Sequence, residues 1–201
     1  MIIHDVLQGT PEWHDLRVGK VTGSRIAAAI KGKGDALIYE MIAEIMTGYR
    51  DEGDYVSDDM TRGLELESEA RELYEERTGL QVNPIGFIQS EQYPLLGISP
   101  DGAVSPNGSI EIKCPRSKTH IKYLREGGVP SEYNGQVLIE FIINPDLEWK
   151  DFVSYDPRIE SKPMYIYRTT RSAVAVELAS MEVALVSFFQ RLEDCKIKIF
   201  I

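Results

Sequence analysis

Cysteine is scarce: Cys114 and Cys195 are the two in a chain of 201 residues, far apart and with no C-x-x-C pair. That argues against a zinc ribbon, an iron–sulphur cluster or a disulfide scaffold, and leaves two small apolar side chains expected to be buried. Positive charge is short as well, with 22 Lys and Arg against 32 Asp and Glu and a formal net charge of −10. A protein that coats nucleic acid by neutralising phosphates needs the opposite balance. A locally basic groove in an acidic body stays open, because a count says nothing about the shape of the field. Long apolar runs are missing too, since VALVSFF and its like are far too short to span a bilayer. The start MIIHDVLQGTPEW shows no basic region followed by an apolar one, so no signal peptide, no membrane and a cytoplasmic location are expected. No internal repeat, low-complexity tract or Pro/Ser-rich linker divides the sequence. Residues 1–201 therefore read as a single domain, long enough to bury a sizeable core.

What is present is a patterned α/β chain. TGSRIAAAIKG predicts a short helix with a Thr/Ser cap and a stop at Gly32. DALIYEMIAEIMTG predicts a second, with Leu37, Met41 and Ile45 at helical spacing and Gly48 as its stop. The acidic YRDEGDYVSDD that follows reads as a mobile loop. On the wheel of DDMTRGLELESEARELYEERTG, Met60, Gly63, Leu64, Leu66, Ala70, Leu73 and Tyr74 share one arc. Glu67 and Arg71 fall inside it, so an acid sits on the face expected to be buried; read alone, the two are an internal pair four residues apart. Strands are predicted at QVNPIGFIQ, PLLGIS, GSIEIKC, WKDFVSYD and MYIYRT, and helices at SKTHIKYLREGG and SEYNGQVLIEFII. A last helix from Arg171 to Ile199 carries Val174, Leu178, Met181, Leu185, Phe188, Leu192 and Cys195 in steps of four and three, a seam for core packing or a subunit contact. The order gives an α+β (α/β) fold class with a mixed sheet and flanking helices.

Chemistry concentrates in GISPDGAVSPNGSIEIKCP. Strand alternation puts Ser109, Glu111 and Lys113 on one face and Ile110, Ile112 and Cys114 on the other, with Glu111 and Lys113 about 7 Å apart. A turn rich in Gly, Pro, Asn and Ser lets the segment of Asp101 fold back as a hairpin partner, bringing Asp101 toward the same pocket. Two carboxylates with the Ile112 carbonyl make a hard-oxygen site of the kind Mg²⁺ or Mn²⁺ prefers. Lys113 beside them can polarise or deprotonate a bound water and steady charge on a phosphate. A hairpin whose polar residues merely face water also fits E-x-K alone. SPDG followed ten residues later by EIK is far more specific.

The sequence resembles the PD-(D/E)XK nucleases, with Pro100-Asp101 and Glu111-Ile112-Lys113 as the signature. More narrowly it is similar to the lambda exonuclease group, the YqaJ-type viral recombinases. EWHDLRVGKVTGS, RGLELESEARELYE, LGISPDG, EIKCP, GQV and YDPR occur in that family's order. The resemblance implies a restriction-endonuclease-like core. It implies Asp101 and Glu111 as metal ligands with the Ile112 carbonyl, Lys113 as the catalytic lysine, and Glu67 as an acid holding water or a second metal. It implies Arg17, Ser24, Ser99 and Gln136 as the grip on a 5′-terminal phosphate. Where the family often reads Q-x-Q, this chain has Gln136-Val137-Leu138, so Leu138 receives no role. Neither Glu140 nor His4, His14 and His120 is given one.

The expectation is a bacterial or phage-encoded Mg²⁺-dependent 5′→3′ exonuclease, with Mn²⁺ able to substitute and two ions per active site. It would degrade one strand of double-stranded DNA from its ends, as a homotrimer ring working with a single-strand annealing protein in phage-type recombination. The alternatives are a PD-(D/E)XK endonuclease indifferent to ends, and a catalytically silent DNA-end binding protein.

Overall fold

The computed structural model describes residues 1–31, 35–50 and 58–200, with backbone alone for 58–60. Its elements are β1 (Ile2–His4), α1 (Pro11–Arg17), α2 (Ile26–Ile30), α3 (Asp35–Thr47), α4 (Asp58–Thr78), β2 (Val82–Asn83), β3 (Phe87–Gln89), β4 (Gly97–Ile98), β5 (Gly102–Val104), β6 (Gly108–Lys113), α5 (Ser117–Glu126), α6 (Asn134–Ile143), β7 (Trp149–Tyr155), β8 (Met164–Thr170) and α7 (Ala175–Phe200). A mixed sheet runs β2-β5-β6-β7-β8, and a smaller antiparallel one runs β1-β3-β4.

The hairpin expected around Asp101 forms: β5 pairs antiparallel with β6, Gly102 opposite Ile110. The β6 strand then runs parallel to β7, with Glu111 beside Phe152 and Lys113 beside Ser154. A parallel pair needs a long crossover, and α5 and α6 supply it. Alternation on β6 falls as expected. Ile110, Ile112 and Cys114 join Ala70 and Tyr74 of α4 in one apolar cluster, which leaves Glu111 and Lys113 on the opposite face. A second cluster gathers α2, α3, β3, β4, α6 and α7, with Leu185, Phe188 and Leu192 fully buried. The seam of the last helix is therefore a core seam. Although Arg171–Phe200 is long and apolar enough by length and composition to cross a membrane, Leu178, Met181, Leu185, Phe188 and Leu192 are buried inside the molecule.

Several local expectations are corrected. QVNPIGFIQ is two strands in different sheets, because Pro84 between them offers no backbone N–H to a ladder. On α3 the buried position after Met41 and Ile42 is Glu44, while Ile45 is exposed. On α4, Leu64 stands 74% exposed despite its place in the apolar arc. The helix at TGSRIAAAIKG begins only at Ile26 and has no side-chain cap. Gly32 and residues 51–57, expected as a helix stop and a loop, lie outside the described residues.

Candidate active site

Because β5 and β6 form one hairpin, Asp101 at the entrance to β5 lies against the middle of β6, and its Oδ2 accepts a hydrogen bond from the Ile112 amide at 2.6 Å. Glu67 arrives from α4, where Arg71 Nη2 donates to its Oε1 at 2.7 Å. The same Nη2 donates to the Asp101 carbonyl at 3.2 Å. The Glu67–Arg71 pair read from the helix wheel is real, and it also docks α4 onto the loop that carries Asp101. Together Glu67, Asp101, Ile112 and Lys113 line an open cleft of about 590 Å³, with Tyr123 and Tyr133 on its far wall. Lys113 Nζ lies 5.4 Å from the centroid of the Tyr133 ring.

Glu111 sits behind Lys113 and is fully buried. Its Oε1 accepts from Lys113 Nζ at 2.5 Å and from Gln136 Nε2. Its Oε2 accepts from Lys150 Nζ at 3.1 Å, and that ammonium also binds Glu140 Oε2 at 2.5 Å. Sequence reading missed Lys150. Only the structure reveals it, because β7 pairs on both sides and leaves this lysine fully buried, where it needs a charged partner.

The electrostatics follow from crowding. Burial, and then the negative charge of Glu111, push the Asp101 carboxyl above the usual range. Burial acts the same way on Glu111, but Lys113 and Lys150 overcome it and hold that carboxyl low. Burial alone would strip a proton from Lys113, whereas Glu111 and Asp101 hold it on. A lysine that keeps its proton can steady negative charge on a phosphate.

The donor set suits a hard divalent cation. Asp101 and Glu111 are close enough to raise one another's cost of ionisation, and a cation between carboxylates relieves that cost. Among the described residues no group of three or more His, Cys, Asp or Glu converges. Mg²⁺ needs no such cage, since it keeps several waters and takes one or two carboxylates.

The residues expected to grip a phosphate fall into two groups. The Arg17 guanidinium lies 3.9 Å over the Trp13 ring, and Trp13 Nε1 donates to Ser99 Oγ at 2.7 Å. Ser24 is exposed in the turn before α2, its hydroxyl 3.2 Å from that of Thr22. It does not cap a helix, and a five-residue α2 adds little dipole there. Next to it Gly23 meets Gln136 so closely that a Cβ would lie 2.9 Å from Gln136 Cγ, which joins this turn to Glu111 through the amide. His120 is a core residue with both ring nitrogens engaged, Nδ1 with Ser154 Oγ at 2.7 Å and Nε2 with the Lys162 carbonyl at 3.0 Å.

Residues 12–144 match the family model of the YqaJ-like viral recombinase domain, a span that holds every candidate residue named from the sequence. The structure superposes on the crystal structure of an alkaline exonuclease from Laribacter hongkongensis with a TM-score of 0.79 and 33% identity, covering 94% of this chain and 98% of that one. The same enzyme in complex with dAMP matches to the same extent. A phage-related exonuclease from Haemophilus somnus 129PT shares the fold at 18% identity and a TM-score of 0.61, over 90% of this chain and 96% of that one. No curated protein sequence matches.

Proposed function

The chain belongs to the YqaJ-like viral recombinase family, and from that premise we propose that it is a Mg²⁺-dependent 5′→3′ exonuclease acting on the ends of double-stranded DNA. The observation that carries this reading is the convergence of Asp101, Lys113 and Glu67 on one open cleft, with Glu111 directly behind. In this proposal Asp101, Glu111 and the Ile112 carbonyl hold the metal, and Glu67 serves a bound water or a second ion. When bound, Mg²⁺ or Mn²⁺ supplies Lewis-acid polarisation of the phosphate and a more acidic water. Lys113 contributes fixed positive charge where the phosphate gathers negative charge. Water oxygen bonds to phosphorus, the bond from phosphorus to the 3′ oxygen breaks, and a 5′-mononucleotide leaves. The next nucleotide then carries a new 5′-phosphate, so a pocket of Arg17, Ser24, Ser99 and Gln136 would meet its ligand again after each turnover. The relative from Laribacter hongkongensis has been solved with dAMP, a mononucleotide of the kind this reaction yields. A single nuclease domain over 1–201, a trimeric ring and a single-strand annealing partner complete the proposal.

The test compares linear duplex with a covalently closed circle of the same sequence in Mg²⁺. We expect mononucleotides from the linear DNA, an intact circle, and no reaction in chelator. Cutting of the closed circle would transfer the site to an end-independent endonuclease.

A further inference from the structure

Beneath the cleft lies a second set of charges that the proposed reaction does not use. Lys150 on β7 and Glu140 on α6 are 0% and 2% exposed, and Glu111 above them is 0% exposed. Buried ion pairs are commonly neutral or unfavourable for stability against well-packed apolar residues of the same volume. Lys150 stands opposite Ser109 of β6 and two residues before Phe152 on β7, both fully or almost fully buried. Stability alone therefore gives no reason for a lysine and a glutamate at these two positions.

Their geometry does. Among the described residues Lys150 is the sole donor to Glu111 Oε2, at 3.1 Å, while Lys113 and Gln136 both approach Oε1. Donors on opposite oxygens fix the plane of a carboxylate; donors on one oxygen leave it free to swing. Glu140, at 2.5 Å, holds the lysine ammonium in place and balances its charge, so that Lys150 steadies Glu111 without cancelling it. The two helical contributors, Gln136 and Glu140, are one turn apart on the same face of α6, which turns one helix side into the support for a single carboxylate.

We infer that Lys150 and Glu140 are positioning residues that orient Glu111 and thereby set the affinity of the site for its divalent cation. The inference rests on the reading of Asp101 and Glu111 as the metal-holding carboxylates. Groups that support metal ligands from behind typically change metal affinity or activity by about 10–100-fold when replaced.

The experiment measures Mn²⁺ binding to the full-length protein by titration calorimetry, with thermal unfolding in parallel. Four variants are compared with wild type: Asp101→Asn, Lys150→Met, Glu140→Gln, and Lys150→Met combined with Glu140→Met. Lys150→Met alone strands a buried carboxylate and is expected to lose both stability and Mn²⁺ affinity. The double variant removes both charges and is expected to be more stable than Lys150→Met alone, since Glu140 is no longer stranded, while binding Mn²⁺ about 10–100-fold more weakly than wild type. Glu140→Gln keeps the shape and is expected to fold normally and to bind Mn²⁺ more weakly. Wild-type Mn²⁺ affinity in a folded double variant, or in Glu140→Gln, overturns the inference and leaves the pair a packing feature. Unchanged Mn²⁺ binding in Asp101→Asn overturns the underlying reading of the site, and the inference with it.

Discussion

At Lys113 burial pulls the proton away, and Glu111 and Asp101 hold it there more strongly; in the proposed reaction the residue supplies positive charge beside the phosphate. Replacing it with alanine should leave DNA and metal binding largely intact and slow cleavage by about 10²–10⁴-fold, the usual worth of a positioned group acting on the transition state. Single-turnover digestion alongside a binding assay checks this, and near wild-type cleavage would remove Lys113 from the reaction. Arg17 carries a different prediction. Its guanidinium is held over Trp13, which itself bonds Ser99, and in the proposed pocket it would meet the terminal phosphate. Wild type should digest 5′-phosphorylated duplex faster than dephosphorylated duplex. Arg17→Ala should lose about 1.5–3 kcal/mol on phosphorylated ends, roughly tenfold to a hundredfold, and with it most of the preference. If the variant keeps the preference, the pocket is misassigned. At this scale the sequence made Glu111 and Lys113 legible, because a strand has only two faces and the local motif states which residues share one. Lys150 was not legible, because its meaning comes from Glu111 on a neighbouring strand and Glu140 on a helix, 39 and 10 residues away.

At the scale of elements, the hairpin, the two helices between the third and fourth predicted strands and the long helices could be read from alternation, turn residues and helical spacing. What could not be read was which sheet a short strand joins. Val82–Asn83 and Phe87–Gln89 are too short to declare their neighbours, and pairing decided it. The YDPR motif shows the same limit, since its aspartate proves to be a tie between elements. Asp156 is fully buried at the end of β7 and accepts from Arg62 of α4 at 3.0 Å, Ser117 of α5 at 2.6 Å and Arg158 Nε at 2.9 Å. Both helices contribute to the lining of the cleft, so this carboxylate ties two of its walls together. Although burial opposes ionisation, Arg158 and Ser117 hold the Asp156 carboxyl well below the usual carboxylate range. A depressed folded value means the stabilisation is complete above the unfolded value, near 3.9, and fades as pH falls through the folded one. Asp156→Asn should therefore cost about 1.5–3 kcal/mol at neutral pH, and the gap from wild type should narrow below about pH 4. Denaturant unfolding of both proteins across pH checks it; a gap that does not change with pH would contradict the assignment.

For the whole molecule, an acidic chain that must hold DNA raises the question of how attraction is organised. A net charge of −10 works against a lone subunit tracking a duplex, whereas several subunits can turn their basic residues toward a shared channel. The outer side of α7 exposes Val176, Val183 and Val186 at 77%, 72% and 51%, an apolar stripe that such an assembly would cover. Sedimentation velocity should show an oligomer, a trimer by the family resemblance, and Val183→Glu should shift it toward monomer. A stable wild-type monomer would remove the ring and leave the cleft chemistry standing. The central claim, that Asp101, Glu111 and Lys113 cut DNA from the 5′ end, is tested most directly by one digestion. A linear duplex labelled differently at the 5′ and 3′ ends of the same strand is incubated with Mg²⁺, and products are followed by size. We expect the 5′ label to appear at once as a mononucleotide and the 3′ label to stay in shortening polymer until late. Release of the 3′ label first, or internal fragments carrying either label, would contradict it.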